Sequence, residues 1–190
     1  MATTAAGTPY VESSDLVANY PGVSLSLANH IDGLDGGKVL QVVSTTKADT
    51  FATNSGTYID VTGMSASITP AATTSKILIY LSAQTGGSPH GTAQYHGRLL
   101  RNSTAIAIGA AAGSRTLASF TTAQIENYTM STSSLVFLDT PATISAITYK
   151  IQILSTSTGG TFQLNRSGID TDSATYSRTA STITLMEIGA

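Results

Sequence analysis

The sequence predicts an all-β fold, a jelly-roll-like antiparallel β-sandwich, preceded by a short N-terminal arm that contains one short helix. Three observations predict it. From Lys38 onward, short runs rich in Val, Ile, Thr and Tyr are separated by clusters of Gly, Pro, Asn and Asp. Within the runs, polar and apolar residues alternate, as in Tyr149, Ile151 and Ile153 against Lys150 and Gln152, or Ile59 and Val61 against Tyr58 and Asp60. No helical period of any length interrupts them, and many short strands with frequent turn signals point to a sandwich or jelly roll.

The strand-like segments in order are 38–46 (KVLQVVSTT), 57–63, 65–70, 76–84 (KILIYLSAQ), 94–102 and 104–109, then 134–140, 146–155 (AITYKIQILS), 161–165 and 181–188 (STITLMEI). The stretch 109–124 (GAAAGSRTLASFTTAQ) is the one long irregular connection and reads as a surface or interface loop. There is no repeat at a solenoid or propeller period and no heptad run.

Residues 1–37 read differently, and the expected division is an arm, 1–37, and a head, 38–190. In SSDLVANYPGVSLSLANHIDGLDGG, Ser14 or Asp15 can cap one turn and Pro21 suits a first helical position. Val23, Leu27 and Ile31 then share a stripe, Gly33 is a natural stop, and Asp35-Gly36-Gly37 reads as a hinge. Two or three turns do not persist alone in water, so this stripe needs a partner surface. Tyr10, Leu16, Val17, Tyr20, Val23, Leu27 and Ile31 are the expected attachment contacts.

Composition narrows the function. Of 190 residues only 11% are charged, against roughly 25% in ordinary globular proteins. The 24 serines and 31 threonines supply the polar surface instead. A hydroxyl face can be buried against a neighbour at less cost than one of Lys and Glu, which suits a subunit of a larger assembly. A net charge of −2 with scattered basic residues gives no footprint for nucleic acid or anionic lipid. No apolar run approaches the ~20 residues of a membrane-spanning helix, and the N-terminus has neither the basic nor the apolar region of a signal peptide. Cysteine is absent, which excludes disulfides and thiol chemistry.

Catalysis finds no constellation. His30, His90 and His96 have no carboxylate at ligand spacing, and no nucleophile elbow, metalloprotease helix, phosphate loop or dinucleotide fingerprint occurs. No acid/base pair for a carbohydrate-active enzyme emerges among Glu12, Glu126 and Glu187. Asp170-Thr171-Asp172-Ser173 lacks the later oxygen ligands and glutamate of a calcium loop, and short Asp and Ser side chains are what a turn before a last strand requires. An ion pair from Asp170 or Asp172 to Arg166 or Arg178 across a subunit boundary is the alternative. No metal, cofactor or catalytic residue is expected.

With the strands placed, GKVLQVVSTTKADTFATNSGTYIDVTGMSASITPAATTSKILI, RLLRNSTAIAIGAAAGSR, FLDTPATISAITYKIQI and NRSGIDTDSATYSRTASTITLMEI together resemble a β module of tailed-phage virion proteins of the tail-fibre and decoration type. DLVANYPGVSLSLANHID resembles a short N-terminal element of small phage structural proteins. The resemblance implies a non-enzymatic homotrimer on the outer surface of the capsid or tail. Heads would join through Ser/Thr-rich faces, and each arm would bind phage capsid or tail proteins. A capsid decoration (cement) protein is the first expectation. The alternative is the receptor-binding tip of a short tail fibre, where Tyr95, Tyr128 or Tyr176 would meet a host surface glycan.

Overall fold

The computed structural model describes residues 2–3, 9–10, 24–25, 27, 38–88, 94–123, 126–156 and 160–189. In chain order the strands are β1 (Ala2–Thr3), β2 (Pro9–Tyr10), β3 (Val39–Lys47), β4 (Phe51–Thr53), β5 (Ile59–Ile68), β6 (Lys76–Ser88) and β7 (Gln94–Arg101). β8 (Thr104–Ile106), β9 (Phe120–Ala123), β10 (Ser131–Asp139), β11 (Ile147–Ser155), β12 (Thr161–Leu164) and β13 (Ser181–Ile188) follow. β1 and β2 pair only with each other.

All other pairings are antiparallel and build two sheets. In the first, β10 and β13 flank β6 on opposite edges and β3 lies outside β13, giving the order β10-β6-β13-β3. β12 takes over the edge of β6 beyond β13, pairing Thr85 to Ser88, and carries β4 beside it. In the second sheet the order is β5-β11-β7, with β8 and β9 sharing the far edge of β7. Leaving β4, β8 and β12 aside, the chain changes sheet at every step except from β7 to β9: β3, β6, β10 and β13 lie in one sheet, β5, β7, β9 and β11 in the other. That interleaving of two four-stranded sheets is the connectivity of a jelly roll.

Alternation explains the core. Ile147, Tyr149, Ile151 and Ile153 of β11 point inward, as do Ile77, Ile79 and Leu81 of β6 and Ile183 and Leu185 of β13. Each fully buried aliphatic side chain contributes about 1.5–3 kcal/mol relative to exposure. Tyr95 and Phe162 close one end of the core, edge to face at 5.7 Å. Gly87 is required there, since a Cβ would overlap the Tyr95 ring.

The segments 57–63 and 65–70 form one strand. β5 carries a bulge in which Val61 to Met64 lie between the partners of Lys150 and Gln152, so four residues face Ile151 alone. Gly63 accepts the left-handed turn of the bulge at φ +83. Both Val61 and Met64 are thereby directed into the core. β4 was not expected. The connection 109–124 is irregular only as far as Ser119 and then adds β9, whose Phe120 lies over Gly97 of β7.

Candidate functional site

The outer faces of the two sheets are chemically opposite. On β5-β11-β7 the polar groups satisfy one another. Asp60 accepts from Lys150 Nζ and Gln152 Nε2, each at 2.7 Å, and Gln152 Oε1 accepts from Arg98 Nε at 2.8 Å. The Arg98 guanidinium lies 4.1 Å from the centre of the Tyr58 ring, whose hydroxyl donates to the Leu117 carbonyl. The Lys150 hydrogen bond, then that of Gln152, holds the Asp60 carboxyl below its ordinary range. This is an ordinary solvated face.

On β10-β6-β13-β3 the register aligns residues from four distant parts of the chain. One row across the face reads Leu138, Leu78, Met186, Val42. The next reads Val136, Tyr80, Thr184, Ser44, and the third Ser134, Ser82, Thr182, Thr46. None of these twelve residues is charged. Val136 is 59% exposed, Val42 56%, Tyr80 48% and Leu138 47%. The face grades from apolar to hydroxyl along the strands. Its apolar end is the end where β3 begins, next to exposed Val39 and Leu40, so it is also the end from which the arm enters the head.

The arm is described at few points. Leu25 and Leu27 are helical, as the sequence predicts for that stretch, and both are exposed, Leu25 at 63%. Tyr10 lies in β2, opposite Ala2. Leu16, Val17, Tyr20, Val23 and Ile31 lie outside the described residues.

The opposite end of the head is polar. Between β12 and β13, Asp170, Thr171, Asp172, Ser173, Tyr176 and Arg178 line an open cavity of about 280 Å³. Asp170 pairs with Arg166 at 3.2 Å and with Arg178, both of its own chain. Ser173 makes a turn, its carbonyl accepting from Tyr176 N and its hydroxyl from Thr175 N. The loop is pinned at its root by Asn165, which is fully buried at φ +63. Its Nδ2 donates to the carbonyls of Lys47 and Asp49, both at 2.8 Å, and its Oδ1 accepts from Ser181 Oγ at 2.6 Å. Ile169 N donates to the Asn127 carbonyl, tying this loop to the one that carries Tyr128, which is 58% exposed.

Of the three tyrosines expected to meet a glycan, Tyr128 and Tyr176 are at this end. Tyr95 is a core residue with no exposed surface, and it must be struck from that set. Burial pushes its phenol above the ordinary value, and the hydroxyl donates to the Thr161 carbonyl. His96 lies in β7, half buried, and burial holds its imidazole below the usual value. His30 and His90 lie outside the described residues.

Two enclosed carboxylates serve the fold. Asp139 accepts from Arg101 Nη1 at 3.0 and 3.1 Å, from the Tyr149 hydroxyl at 2.7 Å and from Thr140 N at 2.9 Å. Glu187 accepts from Gln41 Nε2 at 2.6 Å and from Ala71 N at 2.7 Å. Arg101 and Tyr149 are held on β7 and β11, and Asp139 itself is buried. Among the described residues, no three of His, Cys, Asp and Glu gather as a metal site would require.

No family model matches the chain, and no curated protein matches it. Among solved structures, similar chains belong to infectious bursal disease virus. The Gx strain structure gives a TM-score of 0.42 at 14% identity over 80% of this chain and 42% of that one. The T=1 particles derived from the virus give 0.39 at 13% identity, over 79% and 36% of the two chains. The VP2 subviral particle gives 0.34 at 16% identity, over 78% and 41%. These likenesses are distant, and this chain spans about two fifths of the length of those it matches.

Proposed function

We propose that the chain is a non-enzymatic structural protein of a bacteriophage virion, a homotrimer of jelly-roll heads on the outer surface of the particle, each fastened by its N-terminal arm. The observation that carries the reading is the bipolar head. A mostly apolar sheet end, edged by exposed Lys76, lies where the arm departs, and polar loops lie at the far end. Jelly rolls serve as capsid and lectin domains among other roles, so the fold admits this function without requiring it.

Within that class, capsid decoration is preferred. The arm, residues 1–37, would lie along neighbouring capsid subunits through Tyr10, Leu16, Val17, Tyr20, Val23, Leu27 and Ile31. Each arm would contribute a modest apolar strip, and three arms joined through their heads would gain avidity by effective concentration. Exposed Leu25, which follows two residues after Val23, belongs with this set.

The test is deletion of residues 1–34. The truncated protein should keep its melting temperature and oligomeric state and should no longer sediment with particles. Full binding by the truncated protein would refute arm attachment. Copy number then separates subtypes: hundreds per particle mean decoration, and a few to a few dozen mean a fibre.

The second reading, a receptor-binding tip, is favoured by one observation, the polar cavity with Tyr176 and the nearby exposed Tyr128 at the end away from the arm. Sugars bind through such combinations of aromatic faces, hydroxyls and charged donors. Binding of host polysaccharide that is lost in Tyr176→Ala would support it.

A further inference from the structure

We infer that the outer face of the β10-β6-β13-β3 sheet is the surface through which copies of this chain join, side by side about an axis running along the strands, with every arm at the same end. The inference gives the trimer of the preceding section a definite surface, and it requires no particle.

An antiparallel sheet with one face packed on a core normally turns polar residues to water on the other. Here the outward positions toward the arm end are Leu138, Leu78, Met186, Val42, Val136 and Tyr80, and exposed Lys76 opposite Ile188 edges the face one row further out. A contiguous exposed apolar area of this kind marks a surface that is covered in the working protein. Four strands about 4.8 Å apart and eight residues of about 3.3 Å rise make a face of about 19 by 26 Å in plan. Corrugated by side chains, that approaches the roughly 800 Å² per partner of a standard protein interface.

The chemistry of the face selects the occupant. Foreign partners are steered and selected by complementary charge, and the three central rows hold none. The other sheet does carry charge, and spends it on its own neighbours. What fits an uncharged face graded from apolar to hydroxyl is the same face with the same grading. A two-fold axis across the strands would set leucine and valine against serine and threonine. An axis along the strands sets apolar rows against apolar rows and hydroxyl rows against hydroxyl rows. It also brings all arms to one end, which one surface of attachment requires.

The test uses the full chain without particles. Sedimentation velocity at micromolar concentration should give a multiple of the 19.5 kDa chain mass. Val136→Lys combined with Val42→Lys places charge at two outward positions that the fold does not need. It should yield the monomer mass with an unchanged circular dichroism spectrum. Thr62→Lys, exposed on β5 of the other sheet, should leave the oligomer intact. Because the chain has no cysteine, Ser82→Cys in the middle of the face provides a geometric probe. A short bismaleimide should link copies through Cys at position 82 and should not do so for Thr62→Cys. A monomeric parent, a doubly charged variant that stays oligomeric, or the reverse pattern of linking each overturns the inference. If the oligomer forms as described but does not bind particles, the virion reading fails and this inference stands.

Discussion

Replacing Tyr149 with phenylalanine removes one oxygen from the interior and leaves the ring in place. The phenol donates to Asp139 Oδ2 at 2.7 Å, and Tyr149 has no exposed surface. A hydrogen bond to a charged acceptor is worth about 1.5–3 kcal/mol. Asp139 would keep both contacts from Arg101 and the Thr140 amide, so the loss belongs near the lower end, about 2 kcal/mol. At about 2–4 °C per kcal/mol for a chain of this size, the melting temperature should fall by about 4–8 °C. A second readout comes from alkali. Burial first, then the hydrogen bond and charge of Asp139, push the Tyr149 phenol well above its ordinary value. Its folded value lies above the unfolded value of about 10, so its stabilising contribution is complete below pH ~10 and is lost as pH rises further. One such group gives a slope of about 1.4 kcal/mol per pH unit. Urea unfolding between pH 8 and 11.5 should show a steep alkaline limb in the parent. Tyr149→Phe should make it shallower by about that slope, the remainder coming from Tyr58 and Tyr95, which burial also raises. A variant that melts within 1 °C of the parent with the same alkaline limb would refute the account of this cluster.

Asn165→Ala should cost about 3–5 kcal/mol, at the upper end for a single substitution, because it leaves the Lys47 and Asp49 carbonyls and the Ser181 hydroxyl without their partner; a thermal melt checks it, and proteolysis should fall first in the 165–180 loop. Glu187→Gln should cost about 1–3 kcal/mol, since the Gln41 and Ala71 donors then face an amide. Burial opposes the charged form of Glu187, but Ser75, Gln41 and the Ala71 amide outweigh it and hold the carboxyl below its usual value. Its contribution is therefore present above the unfolded value and lost as pH falls through the acid range, and the variant should flatten that acid limb in urea titrations.

The alternation in 146–155 and 181–188 was enough to place two central strands and their inward residues, because period two leaves no choice of face once the core is apolar. The bulge in β5 was read as a break, since a glycine between two strand-like runs looks the same whether the chain turns away or bends and continues. β9 escaped notice because its order depends on Gly97 leaving room for Phe120, a contact between residues far apart in the chain. The turn at 170–173 was legible from its short polar side chains, whereas the pairing of Asp170 with both Arg166 and Arg178 of its own chain was not, because it depends on how the 165–180 loop folds back on itself. Least legible was the apolar face. Val42, Leu78, Leu138 and Met186 are unremarkable one by one, and only strand register brings them into a single row. Sequence reasoning, with no register to work from, expected heads to join through Ser/Thr-rich faces.

β13 lies between β6 and β3, although it comes last among the described strands and β3 is the first of the head. During synthesis β3 therefore waits with an open edge until some 140 residues more have left the ribosome, and the sheet cannot zip up before Ile188 emerges. Such long-range pairing makes folding slow and leaves nascent chains prone to clumping at high expression. Modest induction temperatures, and tags kept clear of β13, follow as practical requirements for producing the protein.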